Sequence, residues 1–128
     1  VIPVFVNELR SGGKLPIYGD GRNVREWIYV SDHARGIQIV LGKGKAGEIY
    51  NIGSGLRYSN LDLGQIILNC MGLSEDRISF VTDRKGHDFR YAVSRQKISD
   101  LGFSPKLDSK ERIAETIRWY LTHLDWWE

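Results

Sequence analysis

The densest group of charged and hydrogen-bonding side chains lies in residues 82–91, where cationic groups surround a glycine beside two carboxylates and a tyrosine. The guanidinium of Arg84 offers a planar set of donors that matches phosphate oxygens. Gly86 lets the backbone turn, or approach a ligand, where a Cβ would clash. The segment therefore predicts a site for an anionic ligand at the edge of a sheet. The alternative is a solvated loop in which Asp83 and Asp88 neutralise their neighbours.

Residues elsewhere in the chain could serve the same ligand. Arg25 lies between a glycine turn and a predicted strand, and Asn51 lies near the C-terminal end of another, where ligands commonly bind in open α/β sheets. Tyr18 could offer a flat face to a base. Two arginines, an amide donor and His87 would suit a diphosphate, because charge-assisted hydrogen bonds are the stronger ones. Each residue alone is more often structural, so the hypothesis requires that they converge in the fold.

Other kinds of site have little support. The histidines are isolated and there is no Cys-x-x-Cys pair, so no metal site is predicted. Cys70 lies in an apolar run and is predicted to be a buried structural thiol rather than a nucleophile. The Gly-x-Gly pairs lack the third glycine of a dinucleotide fingerprint and are interpreted as turns.

Composition limits the function further. The 128 residues carry 18 basic and 16 acidic side chains, a balance that argues against nucleic acid as a partner. No apolar run approaches the roughly 20 residues of a membrane span. A single cysteine fits a reducing compartment, and we expect a cytoplasmic location. Because the chain begins inside an apolar segment and without methionine, we expect residues 1–128 to be one domain from a longer protein.

Apolar periodicity and turn residues predict alternating helices and strands, which is a mixed α/β pattern. Helices are predicted over residues 2–10, 31–41, 59–71, 94–101 and from 108 onwards. Strands are predicted over residues 15–18, 26–30, 48–52, 78–81 and 91–93. The predicted N-caps are Ser31 or Asp32, Ser59 or Asn60, Ser94, and Asp108 in a capping box with Glu111.

Several segments resemble the C-terminal half of extended short-chain dehydrogenases that act on nucleotide sugars. They are residues 15–21 (LPIYGDG), 25–35 (REWIYVSDHAR) and 47–53 (GEIYNIG). Residues 83–92 (DRKGHDFRYA) narrow the resemblance to the dTDP-sugar 4,6-dehydratases of that family, which usually have proline at the position of Lys85 and arginine at that of Phe89. The resemblance spans essentially the whole chain.

The resemblance implies an enzyme, expected to be a homodimer, that binds NAD and acts on a dTDP-sugar. Such an enzyme oxidises the sugar at C4, eliminates water across C5 and C6, and returns the hydride to C6. Pro16 and Tyr18 would border the thymine. The diphosphate and ribose would be surrounded by Arg25, Asn51, Arg84 and His87, with Asp88 and Tyr91 supporting the loop.

The motifs that are missing matter equally. There is no Rossmann glycine fingerprint, no Tyr-x-x-x-Lys pair and no Thr-Asp-Glu set, all of which belong to the N-terminal half of this family. The chain is therefore predicted to be the substrate-binding portion, lacking most of the Rossmann domain, with NAD bound by the other half and no dehydration by this portion alone. The alternatives are part of a related epimerase or decarboxylase, a stand-alone non-catalytic sugar-nucleotide binding module, and a small nucleic-acid-binding domain.

Overall fold

Helices and strands are interspersed along the chain, in the mixed pattern that the periodicity predicts. A computed structural model describes residues 1–106 and 109–127. In this part of the chain the helices are α1 (Ile2–Arg10), α2 (Val30–Lys43), α3 (Asn60–Met71), α4 (Gln96–Ser99) and α5 (Ser109–Thr122). The strands are β1 (Leu15–Tyr18), β2 (Val24–Glu26), β3 (Arg57–Ser59) and β4 (Ile78–Val81), and 3-10 turns cover Glu75–Arg77 and Leu124–Trp127. The mixed α/β class is confirmed.

The core lies between three helices and one strand. The buried side chains of α1 recur at spacings of one, three and four residues, so they form one apolar face. That face packs against β1, α3 and α5, and Leu15, Ile17 and Ile117 at its centre have no exposed surface. Within the described residues no helix is long and apolar enough to cross a membrane.

Two short strand pairs hold the loops in place. β1 pairs in parallel with β4, with Leu15 opposite Ile78 and Tyr18 opposite Val81. Both strands therefore end at the same edge, and the charged segment 82–91 leaves from it. β2 pairs antiparallel with β3, and an isolated bridge joins Val24 to Arg90. The second pair thus brings β2 beside the end of the charged segment.

Three of the predicted strands are wrong. β2 ends at Glu26, so residues 27–29 are irregular, and residues 48–52 and 91–93 form no strand. A strand requires a hydrogen-bonded neighbour, and the described residues provide none beside 48–52, where Ile49 is 82% exposed. β3 was not predicted, because three residues are too short to show an alternating pattern.

The predicted N-caps have mixed outcomes. Ser59 caps α3 in a reciprocal capping box with Asp62, as predicted. α2 instead begins after Tyr29 with no side-chain cap, because Asp32 turns inward and accepts hydrogen bonds from the Arg35 side chain and the Lys106 backbone.

Two other local predictions are wrong, and one falls outside the described residues. α4 follows Arg95 rather than Ser94 and has no side-chain cap. Cys70 is exposed, because it lies on the face of α3 that points away from the core. Asp108 lies outside the described residues.

Candidate functional site

A cavity of about 400 Å³ lies at the edge where β1 and β4 end. It combines the aromatic ring of the last residue of β1, a guanidinium from β2 and the charged loop that follows β4. Seven of the eight site residues predicted from the sequence line it: Pro16, Tyr18, Arg25, Arg84, His87, Asp88 and Tyr91. The fold therefore brings together residues that lie up to 75 positions apart in the sequence (91 − 16).

Arg25 is held firmly in this cavity. Its Nη1 donates to the backbone oxygen of Val24 (2.8 Å), and its Nη2 donates to that of Asp88 (2.9 Å). The guanidinium carbon also lies 4.3 Å from the centre of the Tyr91 ring, a cation–π contact. Because several partners fix the guanidinium, little conformational entropy would be lost when it binds a ligand.

Tyr91 and Asp88 brace the end of the loop. The Tyr91 hydroxyl donates to the Asp88 carboxylate, and this hydrogen bond raises the pKa of Tyr91. The phenol therefore stays protonated at neutral pH and acts as a donor, not as a base. The same hydrogen bond directs Oδ2 of Asp88 toward Tyr91.

The other arginine reaches the cavity from the turn of the loop. The Arg84 guanidinium lies 5.4 Å from the centre of the Tyr18 ring. The loop closes through a hydrogen bond from the His87 backbone N–H to the Arg84 oxygen (3.2 Å), with Gly86 at φ +70°, a conformation that favours glycine.

His87 links the two arginines. Its Nε2 lies 3.0 Å from Nη2 of Arg25 and 3.0 Å from Nη2 of Arg84. Its Nδ1 lies 2.7 Å from the Asp83 carboxylate, and this hydrogen bond lowers the pKa of Asp83. Two guanidinium groups are thus held on one ring atom, where a phosphate group could meet both.

The sequence-based set differs from this lining in a few places. Asn51 lies outside the cavity, where its Nδ2 donates to the Ser94 backbone oxygen (3.4 Å). Asn60, at the start of α3, lines the cavity but was considered only as a helix cap. The available sequence signal for Asn60 was its amide side chain at the start of a predicted helix. Lys85 also lines the cavity and belongs to the charged segment already singled out.

A second cavity, of about 570 Å³, lies beside α5, and we call it the aromatic cavity because five aromatic side chains are part of its lining. Its aromatic lining is Trp27, Tyr29, Trp119, Tyr120 and Trp126. The Tyr29 hydroxyl donates to Glu115 (2.8 Å), which raises the pKa of Tyr29, so this tyrosine is not activated as a base. Two buried side-chain nitrogens here, Nε1 of Trp27 and Nε of Arg112, have no hydrogen-bond partner among the described residues.

In the part of the chain that the structure describes, no group of three or more His, Cys, Asp or Glu side chains is arranged to hold a metal ion.

The polar cavity is the stronger candidate for function, because seven of the residues predicted from the sequence line it. Its cationic donors and its tyrosine suit an anion attached to a flat ring.

Comparisons with known proteins agree with this geometry. The family model described as the NAD dependent epimerase/dehydratase family matches residues 1–53. A dTDP-glucose 4,6-dehydratase from Actinoplanes sp. is 51% identical over 99% of this chain and 40% of the relative. The chain thus spans about 40% of the length of the curated relatives that it matches most strongly.

Solved structures give the same result. DesIV, a dTDP-glucose 4,6-dehydratase from Streptomyces venezuelae solved with NAD bound, is 48% identical with a TM-score of 0.93, over 99% of this chain and 40% of that one. A UDP-glucose 4-epimerase from Thermotoga maritima, solved with UDP-glucose, is 26% identical with a TM-score of 0.87, over 96% of this chain and 40% of that one. The resemblance predicted from the sequence is confirmed.

Proposed function

We propose that this chain, which matches dTDP-glucose 4,6-dehydratases over nearly its whole length, is the portion of such an enzyme that holds the nucleoside diphosphate of its sugar-nucleotide substrate. One observation carries the proposal: Arg25 and Arg84, which lie 59 positions apart (84 − 25), both place a guanidinium nitrogen 3.0 Å from the same atom of His87. Two guanidinium groups that meet at one atom can donate hydrogen bonds to the oxygens of one diphosphate.

Each lining residue has a distinct role in this proposal. Pro16 and Tyr18 border the base, and Arg25, Arg84 and His87 meet the diphosphate. Asp88 and Tyr91 hold the loop through their mutual hydrogen bond. Asn51 is left out of the set, since its amide is directed to the Ser94 oxygen.

The N-termini of α2 and α3 are poor sites for the pyrophosphate of NAD. The N-terminus of α3 is already closed by the carboxylate of its own capping box, and α2 carries Asp32 in its first turn, so neither helix is free to receive a pyrophosphate. We propose that NAD, which accepts the hydride from C4 when bound, and the acid–base groups lie outside these 128 residues. This portion alone then binds substrate and does not dehydrate it.

The apolar side of the chain supports a larger assembly. Val30, which lines the aromatic cavity, is 73% exposed, and Leu41 and Ile49 are each 82% exposed. Exposed apolar patches of substantial size normally meet a partner surface. We propose that the NAD-binding portion of the enzyme covers this side. From the resemblance alone, we propose that the complete enzyme is a homodimer.

Substrate binding can be tested by amide NMR of the ¹⁵N-labelled chain. Adding dTDP-glucose should shift the signals of Tyr18, Arg25 and Arg84 and leave those of Leu41 and Ile49 unchanged. A dispersed spectrum with no shift near the polar cavity would contradict the proposal. An assay for the 4-keto-6-deoxy product should find none, and turnover by the pure chain would overturn the claim that it lacks catalytic groups.

A related epimerase is the second candidate, favoured by the likeness to the UDP-glucose 4-epimerase. The base and the sugar distinguish the two. Tighter binding of dTDP-glucose than of UDP-glucose supports the dehydratase, and the reverse order supports the epimerase. Equal affinity for inorganic diphosphate would indicate a site that recognises the anion without the base.

A further inference from the structure

The surroundings of His87 determine where its ring proton must lie. Nε2 is 3.0 Å from Nη2 of both Arg25 and Arg84, and a guanidinium group can only donate hydrogen bonds. The imidazole nitrogen that faces them must therefore accept, which places the proton on Nδ1. In the other tautomer, or in a protonated ring, an N–H group would point at two cations.

The Nδ1–H group of His87 donates a hydrogen bond to the carboxylate of Asp83, a residue that does not line the cavity. Its Oδ1 lies 2.7 Å from Nδ1 of His87 and also accepts from the Arg84 backbone N–H (2.8 Å). One carboxylate oxygen thus fixes both the ring of His87 and the start of the loop that carries Arg84.

The end of β1 is shaped to receive this carboxylate. A Cβ at Gly19 would lie 3.2 Å from Oδ2 of Asp83, a tighter approach than ordinary van der Waals contact, and Gly19 has φ +60°. The Gly19 backbone N–H donates to the oxygen of Val81 (2.9 Å), which ties the strand ends together. Asp83 is therefore positioned by both strands of the parallel pair.

We infer that Asp83 is a positioning residue, which accepts a hydrogen bond from Nδ1 of His87 and so orients the ring with Nε2 between the guanidinium groups of Arg25 and Arg84. Two like charges at this separation repel each other, and an acceptor between them offsets part of that repulsion before any ligand arrives. The lowered pKa of Asp83 keeps its carboxylate ionised at neutral pH. The expected effect on ligand affinity rests on the proposed function. The expected tautomer of His87 does not depend on that function.

The tautomer of His87 can be measured directly by long-range ¹H–¹⁵N correlation in the ¹⁵N-histidine-labelled chain. The wild type, Asp83→Asn, Asp83→Ala and the control Asp20→Ala are compared, because Asp20 is likewise a loop aspartate that accepts from a nearby backbone N–H. We expect protonation on Nδ1 in the wild type, the control and Asp83→Asn, whose amide oxygen still accepts. Asp83→Ala removes the contact that orients the ring, so the imidazole can turn away from the arginines and should give a mixture of tautomers.

Titration with dTDP completes the test. Asp83→Ala should bind about tenfold more weakly than the wild type, Asp83→Asn within about threefold, and Asp20→Ala equally well. Dispersed amide spectra establish that each variant is folded, and the tautomer of wild-type His87 still tests the inference if Asp83→Ala does not fold.

Two results would overturn the inference while leaving the proposed function intact: protonation of wild-type His87 mainly on Nε2, or unchanged dTDP affinity in folded Asp83→Ala. A wild type that binds no dTDP but shows the expected tautomers would refute the proposed function instead, and the positioning of His87 by Asp83 would stand.

Discussion

The polar cavity at the ends of β1 and β4 and the aromatic cavity beside α5 share Val1 in their linings, but their polar groups are satisfied to different extents. In the first, both arginines contact His87, and His87 contacts the Asp83 carboxylate. In the second, nitrogens of Trp27 and Arg112 are buried without partners. A buried polar group without a partner costs free energy, whereas a paired one does not.

This difference separates what the chain achieves alone from what it leaves to a covering surface. The polar cavity is organised by contacts within the chain, so it should bind an anion without further help. The aromatic cavity and the exposed side chains of α2 gain their burial only when another surface covers them. The two regions should therefore respond differently to the same perturbation.

The largest effect on stability is expected in the core, which supports both cavities. Ile117 lines neither cavity, is fully buried, and packs in the core between α1, α3 and α5. Ile117→Ala should lower the free energy of unfolding by about 2–5 kcal/mol, because it removes buried contacts and leaves a void. Chemical denaturation followed by tryptophan fluorescence and by dTDP binding should show both signals lost together. If the fluorescence signal were lost at a lower denaturant concentration than dTDP binding, the two regions would fold separately.

An effect confined to the polar cavity is expected from Arg84→Ala. Removing this guanidinium should weaken dTDP binding by roughly 1.5–3 kcal/mol, the range for hydrogen bonds to charged groups. The unfolding midpoint should change little, since Arg84 lies on an exposed loop. The control is Arg22→Ala, an arginine paired with Asp20 and largely exposed, which should bind as the wild type does. Equal losses in both variants would indicate general attraction rather than a site.

The same division explains how far the sequence could be interpreted. α1, β1, α3 and β4 were predictable because their apolar spacing, caps and turns are local properties. Arg25, Arg84 and His87 were indicated by charge and by the family resemblance, whereas Pro16 was indicated by the resemblance alone. Seven of the eight predicted residues line one cavity. Residues 48–52 were predicted to be a strand from composition, but a strand depends on a neighbour that local sequence does not encode. Asn51 was expected at the end of that strand, and because the strand does not form, its side chain is not directed to the cavity.

A smaller effect is expected on the apolar side. Leu41 is 82% exposed, so Leu41→Gln should change the free energy of unfolding by no more than about 0.5 kcal/mol. It should also reduce self-association of the chain, measured by sedimentation velocity, because it breaks the apolar surface. Leu63→Gln, at a buried position of α3, is the contrast and should destabilise strongly. A marked loss of stability in Leu41→Gln would mean that this side is already covered.

The smallest effect concerns one carboxylate beside each cavity. Hydrogen bonds from His87 and from Tyr29 lower the pKa values of Asp83 and Glu115 respectively. A lowered pKa in the folded state means that each contact stabilises the fold above the ordinary carboxyl pKa and is lost as the pH falls through the folded value. Both contacts should therefore be intact at neutral pH and break only in acid, below the ordinary carboxyl range.

Carbon-13 NMR of the side-chain carboxyl groups can follow both titrations in one sample. Adding dTDP should move the titration of Asp83, whose partner His87 meets the ligand, and leave that of Glu115 unchanged. His87→Ala should return the pKa of Asp83 toward its ordinary value and leave Glu115 unaffected, because no contact joins the two networks in the described residues. A shift of Glu115 in either experiment would show that the polar and aromatic cavities are coupled through the core, and the contrast between them would then fail.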